Sequence, residues 1–374
     1  RDAQESRGLG DVYKRQLQTI QKVASNKSNN LYVQNGFLIK AFNNVIEFQA
    51  NDYDMGIKTV VPGIILEPGE VFICNPYLFE LIRRLPSTEI EMVKDEAATQ
   101  LTVHGGKLKF ECLTMNTDDF TELEIVESGS SNMHIDSITL KDLIENTAYA
   151  CSQDEARPIF TGTCIDVNGD TLNMVATDTH RLALKVATLE QPVDTPFKAI
   201  IPSRLLGEIS RLLPVDYKED VEIMVVRTFM AIRFGNIYIR TRLLEGEFPN
   251  YHRVIPKDFS CIATVPRQDF TAAVERASII AKESSYNIIN FTFADDMIHL
   301  TSQNADYGTI EDSIPCKIDG DAIHISFNSN FLIDILKHCH DEEIFLKAKE
   351  NSPMLVKDKE EEHCVCVVTP MRSK

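Results

Sequence analysis

Three segments of the chain repeat at one interval. Phe48-Gln-Ala-Asn-Asp52, Met174-Val-Ala-Thr-Asp178 and Leu300-Thr-Ser-Gln-Asn304 begin 126 residues apart. Internal repetition of this kind decides the architecture before any local pattern does. Each segment closes a similar hairpin. Residues 37–42 and 45–50 flank Asn43-Asn44; residues 162–167 and 171–176 flank Asn168-Gly169-Asp170; residues 290–293 and 297–302 flank Ala294-Asp295-Asp296. Asn, Asp and Gly tolerate the positive φ of tight hairpin turns, so turn chemistry recurs where the repeat requires it.

A short amphipathic helix is predicted after each hairpin, at residues 77–85, 203–213 and 330–339, with Leu78, Leu206 and Leu332 in equivalent places. A second helix is predicted before each hairpin, at 16–24, 137–150 and 266–282, with Pro266 at a first helical position. Gly105-Gly106 and Gly235-Asn236 mark a last hairpin in two copies, and a charged run over 357–362 takes that place in the third. Each unit is therefore helix, strands, helix, strands. The expected fold is α+β and mostly antiparallel, in three tandem copies: residues 1–127, 128–256 and 257–374. Such copies can form an arc, an array or part of a ring, and they argue against one active site in an interdomain cleft. Strands are expected before the opening helix in the second and third copies, at 132–136 and 260–265. In the first copy nothing comparable precedes the helix. Residues 1–16 hold four basic and three acidic residues with no sustained period. They are expected to be foreign, the first strand missing.

The net charge is −18, which taken alone opposes general nucleic-acid binding. Its distribution matters more. The six predicted helices together carry +3, leaving −21 on the rest. If all six share one side of an arc, that side is near neutral to positive and the outer sheets are acidic. Such a lining lets phosphates pass without a fixed register. The candidates to face DNA are Lys22, Lys27, Arg83, Arg84, Lys141, Arg204, Arg211, Arg267, Arg276, Lys282 and Lys337. Solvated helix faces are the bland alternative. Nine scattered cysteines without a Cys-x-x-Cys pair suit a reducing cytosol. No apolar run is long enough to span a membrane, and no secretory leader is visible.

Two small constellations invite chemistry and fall short of it. His180 lies near Asp178, but no nucleophile or phosphate loop accompanies them. His338-Cys339-His340-Asp341-Glu342 lacks a second ligand pair for a structural metal. Carboxylates are dispersed rather than clustered, so no catalytic residue, cofactor or metal is expected. A DNA-processing enzyme and a protein-only scaffold remain the rival functions.

Three motifs carry a resemblance. Ala176-Thr-Asp-Thr-His-Arg-Leu-Ala-Leu184, Leu243-Leu-Glu-Gly-Glu-Phe-Pro-Asn-Tyr-His-Arg-Val-Ile-Pro256 and Val367-Val-Thr-Pro-Met-Arg372 stand in the order found in bacterial sliding clamps, the β subunits of replicative DNA polymerase III. The chain resembles that family over about residues 17 to 374. The resemblance implies the DNA-clamp architecture, with helices on one side and antiparallel sheets on the other. It implies a head-to-tail homodimer that closes a ring around duplex DNA in the cytoplasm, at the nucleoid. It also implies a peptide pocket for the polymerase, the clamp loader and repair proteins that carry a Gln-Leu-x-Leu-Phe-like motif. Carried over residue by residue, the pocket is Phe160, Thr177, Thr179, His180, Arg181, Leu182, Pro249, Arg253, Val254, Val367, Val368, Thr369, Pro370, Met371 and Arg372. Apolar residues and a Met suit an adaptable cavity, with Arg and His at its rim. Thr179 stands where the family usually has Gly, and Thr369 where it often has Met. Phe110 and Cys112, with Ile279 and Ile280, match the family's dimer contacts. Adjacent Ile residues on one helix cannot both face the same core, so one is expected at the surface.

Overall fold

The computed structural model describes residues 17, 20, 23, 36–52, 54–75, 77–85, 89–95, 99–282, 286–361 and 363–371. The expectations for residues 1–16, Lys22, Lys27 and Arg372 lie outside them. In the first repeat Leu17, Ile20 and Val23 are helical. Then come β1 (Phe37–Phe42), β2 (Val45–Asn51), β3 (Met55–Pro62), β4 (Gly69–Ile73), α1 (Leu78–Arg84), β5 (Glu91–Asp95), β6 (Gln100–Gly105) and β7 (Leu108–Leu113). The second repeat has β8 (Ser131–Asp136), α2 (Ser137–Thr147), β9 (Gly162–Asn168), β10 (Thr171–Thr177), β11 (Arg181–Thr188), β12 (Phe197–Pro202), α3 (Ser203–Leu212), β13 (Asp220–Val226), β14 (Phe229–Phe234) and β15 (Ile237–Arg242). The third has β16 (Cys261–Pro266), α4 (Arg267–Ala281), β17 (Ile288–Ala294), β18 (Met297–Asn304), β19 (Gly308–Pro315), β20 (Lys317–Gly320), β21 (Ile323–Asn328), α5 (Ser329–Leu336), β22 (Glu343–Ala348), β23 (Met354–Asp358) and β24 (Cys364–Val368).

The hairpins fall where the turn residues place them. Asn43 and Asn44 have φ of 46° and 61°, and Asp295 and Asp296 both have 54°. The repeated Asp52, Asp178 and Asn304 each cap the turn after their strand. Asp52 Oδ1 accepts the amides of Asp54 and Met55; Asp178 Oδ1 those of His180 and Arg181; Asn304 Oδ1 those of Asp306 and Tyr307. A short side-chain acceptor at this position mimics a backbone turn, which is why Asp or Asn recurs every 126 residues. Pro266, expected at the first helical position, instead ends β16 and is the N-cap of α4, whose first helical residue is Arg267.

The sheets do not stop at repeat boundaries. The chain forms two compact units, the first from residues 1–140, 193–195 and 208–243, the second from 141–192, 196–207 and 244–374. In the first unit an eight-stranded sheet runs β4-β1-β2-β3-β15-β14-β13-β8, beside a three-stranded sheet β5-β6-β7. In the second unit a nine-stranded sheet runs β12-β9-β10-β11-β24-β23-β22-β16-β20, beside a four-stranded sheet β19-β18-β17-β21. Thus β3 of the first repeat pairs with β15, the last strand of the second, and β11 of the second pairs with β24, the last strand of the third. We refer to these pairings as the first and second joints. Within the second unit α4 and α5 pack together over a core of Phe270, Ile289, Phe291, Phe293, Leu332 and Leu336, all at most 2% exposed. The nine cysteines are free thiols, buried or half-buried.

Candidate functional site

The pocket residues expected from sequence lie in the second unit, around the second joint. The joint pairs Leu182 with Val367 and Arg181 with Val368. Strand alternation sends neighbours to opposite faces. Leu182 and Val367 therefore share one face, where they join a buried cluster with Cys164, Val175, Leu184 and Tyr251, edged by half-buried Phe248 and Ile255. Val368 belongs to the other face. It is fully buried in the core beneath α4 and α5, so it does not line the surface expected of it.

Connector residues 245–260 run over this face and are anchored by Tyr251. Its ring is 2% exposed, and its hydroxyl donates to Asp166 Oδ2 at 2.9 Å, which Lys198 Nζ also reaches at 2.8 Å. Burial, and then the carboxylate it donates to, hold the phenol pKa above its usual range. The anchor leaves Pro249, Arg253 and Val254 exposed, Val254 by 43%. A large apolar side chain that open beside a buried apolar floor is the informative kind of exposure.

The turn of residues 178–181 forms the second wall. Thr179 has φ of 78°, a left-handed conformation that a β-branched residue adopts only under constraint. Its amide donates to Thr177 Oγ1 at 3.1 Å. Arg157 reaches Thr179 Oγ1 at 3.5 Å while lying 5.6 Å over the ring of half-buried Phe160, which ties Phe160 to the turn. The Thr177 hydroxyl donates to Arg181 O at 2.6 Å. Thr369 donates to His180 O through both its amide, at 2.8 Å, and its hydroxyl, at 2.9 Å. A Met at 369 could supply only the first of these bonds. Pro370 and Met371 follow, half-buried, with the Met371 amide on Ser326 O at 2.7 Å.

Arg181 is not a free rim residue. Its side chain is 10% exposed. Its guanidinium donates to Asp178 at 3.1 Å, Asp334 at 2.7 Å and Tyr149 O at 3.1 Å. Asp178 therefore serves the turn amides and Arg181, while the His180 ring stacks on Phe331 at 5.7 Å. Phe331, Asp334 and Tyr149 were not expected at this site. Nothing local in the sequence marks them: Phe331 and Asp334 come from the third repeat's helix, and Tyr149 from the turn after α2, and packing brings both to the 178–181 turn. His338 stacks on Tyr149 at 3.9 Å, and burial lowers its pKa. No group able to hold a metal ion occurs among the described residues.

The basic helix residues divide into engaged and open. Arg84 pairs with Glu80, Arg211 with Glu208, Arg276 with Asp312, Lys337 with Asp334 and Lys141 with Glu145. Arg204 is exposed but has a partner of its own. Arg267 is half-buried and donates to Asp341 O at 2.8 Å, which makes it a helix-end fixture rather than a lining charge. Arg83 and Lys282 are exposed with no ion pair among the described residues. Of the expected contact residues, Ile279 is 63% exposed and Ile280 half-buried, as helical geometry requires; Phe110 is half-buried and Cys112 is 6% exposed.

Tandem α+β repeats whose sheets are continued by strand exchange between neighbours define the clamp class of fold. Sequence profiles of the DNA polymerase III β subunit match along the chain in order: the N-terminal domain over residues 11–124, the central domain over 134–250 and the C-terminal domain over 252–372. The chain belongs to the DNA polymerase III β subunit family. It is 28% identical over 369 residues to the beta sliding clamp of Bacillus subtilis, covering 96% of each chain. The crystal structure of the DNA polymerase sliding clamp from Bacillus subtilis matches with a TM-score of 0.90 at 27% identity, over 97% of this chain and 98% of that one. A Pseudomonas aeruginosa sliding clamp solved with griselimycin bound matches with a TM-score of 0.89 at 25% identity and the same coverage.

Proposed function

We propose that the chain forms a homodimeric ring that encircles duplex DNA without sequence preference, keeps the replicative polymerase processive and has no catalytic site of its own. The observation that carries this is the repeated joint. Strand β3 of the first repeat pairs with the last strand of the second, and β11, its counterpart 126 residues on, with the last strand of the third. The next strands in that series are β19 and β7. Each is an edge, unpaired on its outer side among the described residues. Long open edges are liabilities that folded proteins usually blunt or cover. A second copy arranged head to tail pairs β19 with β7 twice, repeats the joint and closes a ring. Ile279 stands exposed on α4, the helix that packs on β19.

The second joint is the proposed docking site for Gln-Leu-x-Leu-Phe-like motifs of the polymerase, the clamp loader and repair proteins. Its support is the apolar cluster of Leu182, Val367 and Tyr251, whose connector leaves Val254 open. The site of action is the cytoplasm, at the nucleoid; among the described residues no helix is long and apolar enough to cross a membrane. Loading with a clamp loader onto nicked circular DNA tests the proposal. A ring stays on the circle and is lost once the DNA is linearised. A scaffold that binds only proteins shows no retention, and either that result or nuclease activity would overturn the reading.

A further inference from the structure

We propose that Asp334 is a positioning residue of the peptide site: through Arg181 it fixes the 178–181 turn, without touching the peptide. This rests on the second joint being that site. Arg181 has no reach toward a ligand. Its guanidinium is bonded to Asp178, Asp334 and Tyr149 O, and its Cζ lies 5.6 Å over the Tyr149 ring and 5.1 Å over the Phe331 ring. A planar fork with fixed donors cannot keep these bonds and also turn outward.

The grip comes from one stripe of one helix. Phe331, Asp334 and His338 are spaced three and four residues apart along α5 and the turn that follows it, the spacing of helical neighbours. Phe331 stacks on His180, Asp334 holds Arg181, and His338 stacks on Tyr149 while its Nδ1 donates to Asp334 O at 2.8 Å. Asp334 Oδ1 also takes Lys337 at 3.2 Å. The held turn fixes His180 O, and both Thr369 bonds end there, so the positions of residues 369–371 follow from it. Asp178 is Arg181's partner within the turn itself, and Asp334 is the carboxylate that ties Arg181 to a different element, α5. Loss of Asp334 therefore leaves Arg181 held only by the turn and by Tyr149 O, and loosens the walls of the site that depend on it.

The test is the affinity of the whole protein for a fluorescent Gln-Leu-x-Leu-Phe peptide, read by anisotropy, alongside the melting transition. Asp334→Asn is expected to weaken binding about tenfold. Asp334→Glu, which keeps the charge, restores most of the loss. Arg181→Met costs about as much as Asp334→Asn, and the double variant costs no more than the worse single one, because both act through one contact. Arg181→Lys keeps the charge but loses the fork, and is expected to weaken binding even if Asp334→Asn fails to fold. If wild type binds and both Asp334→Asn and Arg181→Lys bind within about twofold of it, or if the single losses add, the positioning role is wrong. If wild type does not bind, the peptide site itself falls, and this proposal with it.

Discussion

The two joints share a backbone plan and differ in what sits on them. In the first, Gly56 lies opposite Arg240; in the second, Leu182 lies opposite Val367 at the same register. Gly56 leaves a space that the chain fills with its own connector. A Cβ at Gly56 would lie 2.3 Å from Leu123 Cδ1. Leu123 is pinned there: its amide donates to Gln49 Oε1 at 3.1 Å, and the Val126 amide donates to Tyr238 Oη at 2.9 Å. Arg240 lies 4.0 Å over the Phe229 ring and reaches Glu124 at 3.6 Å. Nearby, Glu47, 5% exposed, is paired with Lys58 at 2.6 Å. The first joint is thus plugged and polar. The second is apolar, with a connector anchored at Tyr251 that leaves Val254 open. One repeated backbone yields a plugged joint and an open one through a few side chains.

The largest way to break this contrast is to remove the plug. Leu123→Ala, at a site 7% exposed among Met224, Ala231 and Tyr238, is expected to cost about 3 kcal/mol in chemical denaturation. Val254→Ala should stay within about 0.5 kcal/mol of wild type in the same assay. Gly56→Leu installs the second joint's residue in the first. It must expel Leu123, and a loss of about 2 kcal/mol is expected from overpacking. A neutral result would mean that the plug is not seated as described. In the second joint, Leu182→Ala and Met371→Ala should each weaken Gln-Leu-x-Leu-Phe peptide binding by about 2 kcal/mol by calorimetry. Unchanged affinity in both would move the site elsewhere. Thr179→Gly relieves a left-handed conformation and should raise stability by about 1 kcal/mol. A drop in the denaturation midpoint would show that the Thr179 bonds outweigh the strain.

The smallest effect is a pH dependence confined to the second joint. Burial alone would raise the Asp334 pKa, but the hydrogen bonds and charges of Arg181 and Lys337 outweigh it and hold it below the usual 3.8. A depressed folded value contributes stability above the unfolded pKa, and that contribution is lost as pH falls through the folded one. The stability gap between wild type and Asp334→Asn should therefore be full at neutral pH and shrink below about pH 4. A gap that stays constant to lower pH would mean the carboxylate charge is not what holds Arg181.

The sequence made the hairpins legible because turn chemistry is local. Asn43-Asn44, Gly169-Asp170 and Asp295-Asp296 declare themselves, and the capping acceptors Asp52, Asp178 and Asn304 mark the period. The helices from residue 77 onward were legible for the same reason. What escaped was non-local. Nothing in β3 or β15 announces that they pair, since an edge chooses its neighbour only when whole repeats meet, and so the large sheets run across repeat boundaries. Val368 and Arg181 carried over into the pocket by motif alone. Strand alternation turns the first into the core, and Asp334, on a helix some 150 residues away, claims the second. Nor does Gly56 carry any local sign that Leu123, far along the chain, packs against it.

The central claim is that the second joint receives a peptide and the first cannot. Hydrogen exchange across a titration with a Gln-Leu-x-Leu-Phe peptide tests it most directly. The expected result is one peptide bound per chain, with protection gained at residues 178–184, 248–255 and 367–371 and none at 55–59 or 121–126. Two peptides per chain, or protection at Gly56 and Leu123, would contradict it.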